Sequence, residues 1–460
     1  MKNRNYIFFL LILSIILVYF WLDTFQFTAN LKFVLFGHFL IHSIAIYKSI
    51  VQLNKYKFPF ILFISAINLI TFFYAPAIIN PIDFQLGTLN YDVLTDLLLG
   101  FSIFYLTYFI LLNYQLKSRF VILANSNKKH IRKDAFVRLK RIFLVLYLLQ
   151  LFITIPVSGL NEFIELFTIG LFAIGFLLNL NSKLEDALFI GLITFQSIKV
   201  VTSSLIYTII YFAIFLIVIF KNYGLKSKKG IVLMGVLMSF YLLFTILFSP
   251  VKTEYRLYQF RSYSDFEKLD VMYNLILNSN VTNYENSLEK QTKEGPVWRL
   301  SYPLSAISLV KEKTPSIIPF WDGESYLPIF TKFIPRFLWP EKPTENMGQE
   351  FGHRYGILAW DNLTTSMNTP ILAEAYMNFR DKGFYLIFFF MAIIIAKVYN
   401  KENSTQSQDR LSVDTILNTI TIAIATVYFT QWESNLTMMI GKFIILYVTT
   451  KLIRRFIIQA

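Results

Sequence analysis

The sequence predicts an all-α polytopic membrane protein with about twelve transmembrane helices and one large extracytoplasmic loop. Composition is the first observation: 55% of the 460 residues are hydrophobic, 18% are aromatic and only 16% are charged, which is far more apolar than a soluble globular domain. The second is that the apolar residues fall into runs close to the length that crosses a bilayer. The third is one long polar interruption, residues 249–382.

Twelve apolar segments approach the roughly 20 residues that a membrane-spanning helix needs. They are 6–22, 31–47, 58–74, 97–116, 142–157, 163–180, 187–198, 201–220, 231–248, 384–398, 413–429 and 438–449. The seventh is short and is joined to the eighth across Lys199, so this pair is interpreted as two spans or as one span with a re-entrant piece. The first lacks a small-x-small cleavage site and is expected to stay as an uncleaved span.

These segments divide the chain into three regions. Residues 1–248 form an N-terminal transmembrane region of about nine helices, and residues 383–460 form a C-terminal region of about three helices, counted by the length that a span needs. Residues 249–382 form the large loop between them, and we expect this loop to carry the catalytic candidates.

The basic residues orient the spans. If the N-terminus is cytoplasmic, 25 of the 43 Lys and Arg residues fall at cytoplasmic ends and loops, whereas the short outside loops 75–96 and 158–162 hold none. This is the positive-inside pattern, and it predicts that both termini are cytoplasmic and that the large loop lies outside. The net charge of +14, including the basic cluster at 128–133, is interpreted as topology anchoring against anionic lipid, so no nucleic-acid partner is expected.

Several kinds of chemistry are disfavoured by the sequence. It has no cysteine, and it contains no Walker loop, no Gly-x-Gly-x-x-Gly string and no Asp-x-Asp pair, so we expect neither nucleotide hydrolysis nor a metal-bound nucleotide sugar. His38 and His42 share a helical face at metal-ligand spacing, but no third ligand is identifiable and interhelical hydrogen bonding is favoured. No cofactor and no metal are expected.

The large loop has its own organisation. Residues 254–277 carry apolar side chains at helical spacing and predict an amphipathic helix. From Trp298 onward, proline and aromatic residues dominate. Because proline fixes φ and removes a hydrogen-bond donor, this stretch is expected to form a rigid irregular cap over the bundle and not a long helix. A rigid, aromatic and charged surface suits a saccharide or a lipid headgroup.

Four strings in this loop carry a family resemblance. They are Ile-Pro-Arg-x-Leu-Trp-Pro-x-Lys-Pro at 334–343, Gly-Gln-Glu-Phe-Gly-His-Arg-Tyr-Gly at 348–356, Thr-Thr-Ser at 364–366 and Glu-Ala-Tyr-Met-Asn-Phe at 374–379. Together with the many spans and one large outside loop, they resemble the Wzy-type oligosaccharide repeat-unit polymerases, the O-antigen and capsular polysaccharide polymerases of bacteria. One departure is Arg380, where that family often has glycine.

The resemblance implies a lipid-carrier-dependent glycosyltransferase in the bacterial inner (cytoplasmic) membrane. It would polymerise undecaprenyl-diphosphate-linked oligosaccharide repeat units into surface polysaccharide: O-antigen, capsule or exopolysaccharide. Its implied partners are these lipid-linked oligosaccharides, membrane lipid and a polysaccharide chain-length regulator. Two alternatives stay open: an O-antigen ligase of the same architecture, and a non-enzymatic flippase. The flippase is less favoured because the sequence shows no internal repeat.

Such a reaction needs positive charge where the diphosphate departs. Arg336 is the leading candidate, because its guanidinium offers a fixed fork of donors and Pro335 restrains the backbone that presents it. Its structural alternative is a pair with Glu341 or a stack on Trp339. The other candidates for binding the diphosphate or the sugar are Arg299, Arg354, Lys342, Trp339 and Lys199, the last of which could instead lie in an interfacial hairpin.

The reaction also needs a group that takes the proton of the attacking sugar hydroxyl. Glu374 and His353 rank equally here. Glu374 precedes the tenth predicted span, where a partly dry environment would raise its pKa, and His353 needs little shift of its pKa to be half protonated. Glu374 could instead be a partner of Arg380, and His353 could be a simple hydrogen-bonding residue of the loop.

Overall fold

The computed structural model describes only part of the chain. The described residues are 2–25, 27–51, 60–78, 90–119, 133–150, 265–278, 301–331, 346–363, 365–404 and 435–453, with the single positions 164, 167, 168, 171, 232, 235, 239, 339, 341 and 432. Within them the secondary structure is helical and contains no β-strand. The predicted all-α class is confirmed for these residues.

We number the helices of the described residues in chain order. They are α1 (Lys2–Asp23), α2 (Ala29–Val51), α3 (Phe60–Leu69), α4 (Ala75–Ile78), α5 (Tyr91–Arg119), α6 (Lys133–Gln150), α7 (Asp265–Asn278), α8 (Tyr302–Lys313), α9 (Leu327–Thr331), α10 (Met347–Arg354), α11 (Ile371–Ser404) and α12 (Leu436–Ile453). A π-helical segment, Ile70–Tyr74, joins α3 to α4, and a 3₁₀ turn, Glu324–Tyr326, precedes α9.

Three helical stretches are long and apolar enough to cross a membrane: Ala29–Val51, Ile61–Ile78 and Tyr91–Leu112. They coincide with the second, third and fourth predicted spans. The apolar part of α1, Phe8–Asp23, is shorter, yet it exposes Phe9 and Phe20 by more than half of their surface. An apolar surface of this kind is unfavourable in water and favourable against lipid.

The other predicted spans are described in part or not at all. The fifth, tenth and twelfth overlap α6, α11 and α12. The sixth to ninth and the eleventh fall outside the described residues, apart from a few single positions. The predicted number of spans, their orientation and the position of the large loop relative to the membrane therefore stay predictions.

The core of the bundle lies where α2, the π-helical segment, α5 and α11 meet around Phe101. The Phe101 ring centre lies 4.9 Å from that of His42, 4.7 Å from that of Phe72 and 4.9 Å from that of Phe388. A side chain at Gly100 would collide with the Phe388 ring. The small residue therefore allows α5 and α11 to approach closely, as small residues do between membrane helices.

Polar side chains bridge the same helices. His38 Nε2 lies 2.8 Å from the Leu94 carbonyl oxygen, and His42 Nδ1 lies 2.9 Å from the Tyr105 hydroxyl. The Tyr105 hydroxyl also accepts a hydrogen bond from Asn68 Nδ2, at 3.3 Å. The predicted interhelical hydrogen bonding of the two histidines is confirmed.

We call residues 301–370 the cap. In the part that the structure describes, the cap consists of short elements around a buried helix. Leu304, Ile307 and Val310 of α8 are fully buried, and Pro303 occupies the first turn of this helix, where its missing N–H has no intrahelical partner to lose. α8 has 12 residues, α9 has 5 and α10 has 8. The amphipathic helix predicted at 254–277 is described only over α7.

Lys311 joins the cap to the bundle. Its Nζ forms ion pairs with Asp96 of α5 and with Asp381 of α11, the latter at 3.2 Å. The Tyr385 hydroxyl donates a hydrogen bond of 2.7 Å to the other carboxylate oxygen of Asp96, and the Lys311 ammonium lies 4.9 Å from the centre of the Phe384 ring. Because the Lys311 side chain is only 10% exposed, this attachment is shielded from water more than a surface ion pair is.

Candidate functional site

Glu374, in the first turn of α11, joins three separate segments of the chain. Its side chain is 0% exposed. One carboxyl oxygen accepts a hydrogen bond of 2.9 Å from Ser325 Oγ in the 3₁₀ turn. The other accepts a hydrogen bond of 2.6 Å from the backbone N–H of Leu436, the first residue of α12. Both oxygens of this buried carboxyl thus accept hydrogen bonds, from donors that lie 49 and 62 residues away in the sequence.

Asn378 holds Ser325 in place. It lies one helical turn after Glu374, so both side chains share a face of α11. Asn378 Nδ2 donates hydrogen bonds of 2.7 Å to Ser325 Oγ and to the Glu374 carbonyl oxygen, and its Oδ1 accepts one of 2.9 Å from the Gly323 N–H. Ser325 Oγ therefore accepts from Asn378 while it donates to Glu374.

Burial controls the protonation of this carboxyl. It raises the pKa of Glu374 from 4.5 to about 8, and the hydrogen bonds from Leu436 and Ser325 offset only part of that shift. The group lies outside the three stretches that are long and apolar enough to cross a membrane. A carboxyl with this pKa is mostly protonated at pH 7 and mostly ionised at pH 9, so it can hold or release a proton near neutrality.

A cavity of about 160 Å³ lies beside Ser325. Its neutral polar lining residues are Ser325, Ser366, Asn368, Thr369, Asn435 and Thr437, and Pro328, Met347, Gly348, Met367 and Met438 complete the wall. We call this the polar cavity. Glu374 is not one of the lining residues, but Ser325 lines the cavity and donates to Glu374. The carboxyl therefore reaches the cavity through the serine hydroxyl.

Arg354 contacts the same 3₁₀ turn through Glu324. Its Nη2 lies 3.2 Å from Glu324 Oε2 and also pairs with Glu350 on its own helix. The guanidinium lies 4.2 Å from the centre of the Trp321 ring. Two carboxylates thus compensate the charge of Arg354, and the structure places this predicted binding residue next to Glu324, the neighbour of Ser325 in the chain.

His353 is not one of the residues that line the polar cavity. Its Nε2 lies 3.1 Å from the Asn362 carbonyl oxygen, and its ring centre lies 5.1 Å from that of Trp360. This contact corresponds to the loop hydrogen bond that was the structural alternative for His353. Of the two candidate bases, Glu374 is the one connected to the polar cavity through a lining residue, Ser325.

Arg380 does not pair with Glu374 in the described contacts. Its guanidinium lies 4.6 Å from the centre of the Phe320 ring. Its backbone has φ 59° and ψ −152°, a conformation that glycine adopts without cost and that is strained for residues with a Cβ.

Four of the predicted binding residues, Arg299, Arg336, Lys342 and Lys199, lie outside the described residues. Trp339 is described as a single position and is 37% exposed. The predicted diphosphate-binding group therefore stays a prediction. Within the described part of the chain, no cluster of three or more His, Cys, Asp or Glu side chains could hold a metal ion.

Ser325, Asn378 and Thr369 are not among the site residues predicted from the sequence. The sequence does contain a signal for Asn378, because a spacing of four residues from Glu374 places both side chains on one helical face. No periodicity connects Ser325 with Glu374, since these residues belong to different elements. Thr369 becomes notable only through its burial and the cavity that it lines.

Comparison with protein-family models, with curated proteins and with solved structures finds no match to this chain. The class of protein is therefore described only by its fold and by its candidate site. The protein is helical, with three stretches long and apolar enough to cross a membrane. Where its cap meets α11 and α12, a buried carboxyl lies behind a cavity whose polar lining consists of hydroxyl and amide side chains.

Proposed function

We propose that the protein is a glycosyltransferase of the lipid-carrier type, which polymerises undecaprenyl-diphosphate-linked oligosaccharide repeat units at the outer face of the bacterial inner membrane. The observation that carries this proposal is the polar cavity with Ser325 in its wall and Glu374 behind that serine. Hydroxyl and amide groups suit a sugar, and the carboxyl can accept a proton. The strings that resemble the Wzy-type polymerases lie in or next to the same cap.

The reaction transfers a growing glycan to a new repeat unit. A hydroxyl oxygen of the acceptor sugar forms a bond to the anomeric carbon of the glycan, while the bond between that carbon and the carrier diphosphate oxygen breaks. The diphosphate leaves with the bonding electron pair. The acceptor proton passes to Ser325 Oγ as the serine gives its own proton to Oε1 of the ionised form of Glu374, along the hydrogen bond of 2.9 Å. Positioned proton transfer of this kind accelerates reactions by about 10²–10⁴-fold.

The departing diphosphate needs a separate cationic group. Arg336 is the proposed principal cation, with Arg299, Lys342 and Lys199 as further candidates, because guanidinium and ammonium groups stabilise negative charge that develops on phosphate oxygens. Arg354 is assigned a positioning role, since Glu324 and Glu350 already compensate its charge.

Deletion of the gene followed by electrophoresis of the surface glycan tests the proposal. Loss of a polymerase leaves single repeat units attached to their acceptor. Loss of a ligase leaves no units on the acceptor, and loss of a flippase strands the units on the cytoplasmic side. We expect the first pattern, and either of the other two would contradict the proposed function.

Arg336→Ala tests the cationic group in the same assay. We expect it to abolish polymer while the amount of protein in the membrane stays normal, because the diphosphate would lose its main donor. Arg410→Ala, in a predicted cytoplasmic loop, is the matched control and should leave the polymer unchanged. Full-length glycan from Arg336→Ala would remove this residue from the mechanism.

A further inference from the structure

We propose that the polar cavity binds a single uncharged sugar ring, and that it selects a neutral sugar over an acidic sugar. We identify this ring as part of the acceptor repeat unit, and that identification rests on the proposed function. The binding of a sugar ring depends only on the cavity and on the buried hydroxyl of Thr369 in its wall.

The lining of the cavity matches the chemistry of a sugar. A sugar ring presents hydroxyl groups around its edge, and each hydroxyl both donates and accepts hydrogen bonds. Serine, threonine and asparagine side chains do the same, and they supply the six polar positions of the wall. Met347, Met367 and Met438 supply apolar surface for the C–H faces of a ring, and methionine adapts to irregular shapes.

The size of the cavity limits what enters it. Its volume of about 160 Å³ lies below the ~300–1,000 Å³ of pockets that enclose a whole drug-sized ligand. It therefore suits one ring of a longer glycan, while the rest of the chain and its lipid carrier lie outside it.

A neutral ligand fits better than an anion. None of the lining residues is charged, so a uronate or a phosphate would be desolvated without a cation in the wall. The N-terminus of α12 is the place where an anion would otherwise bind, but its first N–H, at Leu436, is bonded to Glu374 and its third, at Met438, is bonded to Asn435 Oδ1 at 2.7 Å. Ionised Glu374 would also repel an anionic ligand.

Thr369 supplies an independent observation. It lines the cavity, it is 2% exposed, and its Oγ1 has no hydrogen-bond partner among the described residues. Buried hydroxyl groups in native proteins are nearly always paired. A sugar hydroxyl in the cavity would provide the missing partner, which makes Thr369 the most informative residue to change.

The test uses the purified full-length protein in detergent, with saturation-transfer NMR titrations of the methyl glycosides of glucose, galactose and N-acetylglucosamine. We expect saturable binding of at least one of them, weakened about five-fold by Thr369→Val, which corresponds to about 1 kcal/mol for one hydrogen bond. Thr365→Val, at an exposed position outside the cavity wall, is the matched control and should bind as the wild type does. Ser366→Ala, on the exposed wall, is the second variant if Thr369→Val does not fold.

An anionic probe tests the selectivity. Methyl glucuronide should bind about ten-fold more weakly than the neutral glycoside, because the wall offers no cation. Binding of none of the neutral glycosides, unchanged affinity in both wall variants, or tighter binding of the uronide would each overturn the inference.

The two proposals fail separately. If the deletion strain accumulates single repeat units while the purified protein binds no neutral glycoside, the polymerase function stands and the sugar subsite is wrong. If a neutral glycoside binds in a manner that depends on Thr369 while the deletion strain keeps its normal polymer, the subsite stands and the polymerase function is wrong.

Discussion

At the scale of single residues, Glu374 connects structure with chemistry. Removal from water disfavours the charged form of its carboxyl, and two hydrogen bonds of 2.9 and 2.6 Å hold it at the meeting point of the cap, α11 and α12. A fully buried carboxyl in a protein usually has a charged partner. This one is buried against donors, with Ser325 between it and the polar cavity.

The pKa of Glu374 predicts a pH-dependent stability. Because the folded protein raises this pKa from 4.5 to about 8, the folded state holds the proton more tightly than the unfolded chain does. The stabilising contribution is complete below about pH 4.5 and is lost as the pH rises through about 8. Glu374→Gln stays neutral throughout, so its unfolding midpoint relative to the wild type should rise by several degrees between pH 5 and pH 8.

Thermal unfolding in detergent from pH 4 to pH 9 measures this difference. Glu312→Gln, at an exposed position of α8, is the control and should show no such rise. A difference between Glu374→Gln and the wild type that does not change with pH would show that burial does not raise this pKa.

The backbone of Arg380 predicts an unusual order of stability. Arg380→Gly and Arg380→Ala both lose the stack on Phe320, but only glycine adopts φ 59° without strain. Arg380→Gly should therefore be more stable than Arg380→Ala by about 1 kcal/mol. Urea or thermal unfolding of the two variants measures this, and a more stable alanine variant would contradict the kink at this residue.

At the scale of elements, the sequence predicts the helices of the bundle better than the site. The second to fourth predicted spans coincide with observed helices because length and apolar content are local properties of the chain. The contact of Ser325 with Glu374 depends on how the cap folds against α11, and no local pattern contains it. For the same reason the sequence does not predict the polar cavity, because its wall comes from four separate segments of the chain.

The ion pairs of Lys311 predict that this residue attaches the cap to the bundle. Lys311→Met leaves Asp96, which is 26% exposed, without its cation, so it should destabilise the protein by about 1–3 kcal/mol. The double variant Lys311→Met with Asp96→Asn should regain part of this loss, because the less exposed carboxylate is then neutral, while the remaining partner, Asp381, is 64% exposed. Thermal unfolding and limited proteolysis of the cap measure both effects.

Lys382→Met, an exposed neighbour on α11, controls for the loss of a positive charge. Equal stability of Lys311→Met and Lys382→Met would show that the Lys311 ion pairs do not attach the cap. A double variant no more stable than Lys311→Met would show that Asp96 is not its partner.

At the scale of the whole molecule, the predicted topology places the cap outside the cell and residues 117–141 inside. The sequence contains no cysteine, so a single introduced cysteine reports one position without background. We expect a membrane-impermeant maleimide to label Thr365→Cys, in the cap, on intact cells. Ser126→Cys should react only after the membrane is permeabilised, and the reverse pattern would invert the proposed orientation.

The most direct measurement of the central claim is the length of the surface glycan in a deletion strain that carries Glu374→Gln or Ser325→Ala. If a sugar hydroxyl gives its proton through Ser325 to Glu374, both variants should leave mainly single repeat units, while the exposed control Ser316→Ala restores the full ladder. Normal amounts of each protein in the membrane would show that the chain folds. A full-length ladder from Glu374→Gln would contradict the role of this carboxyl as the proton acceptor.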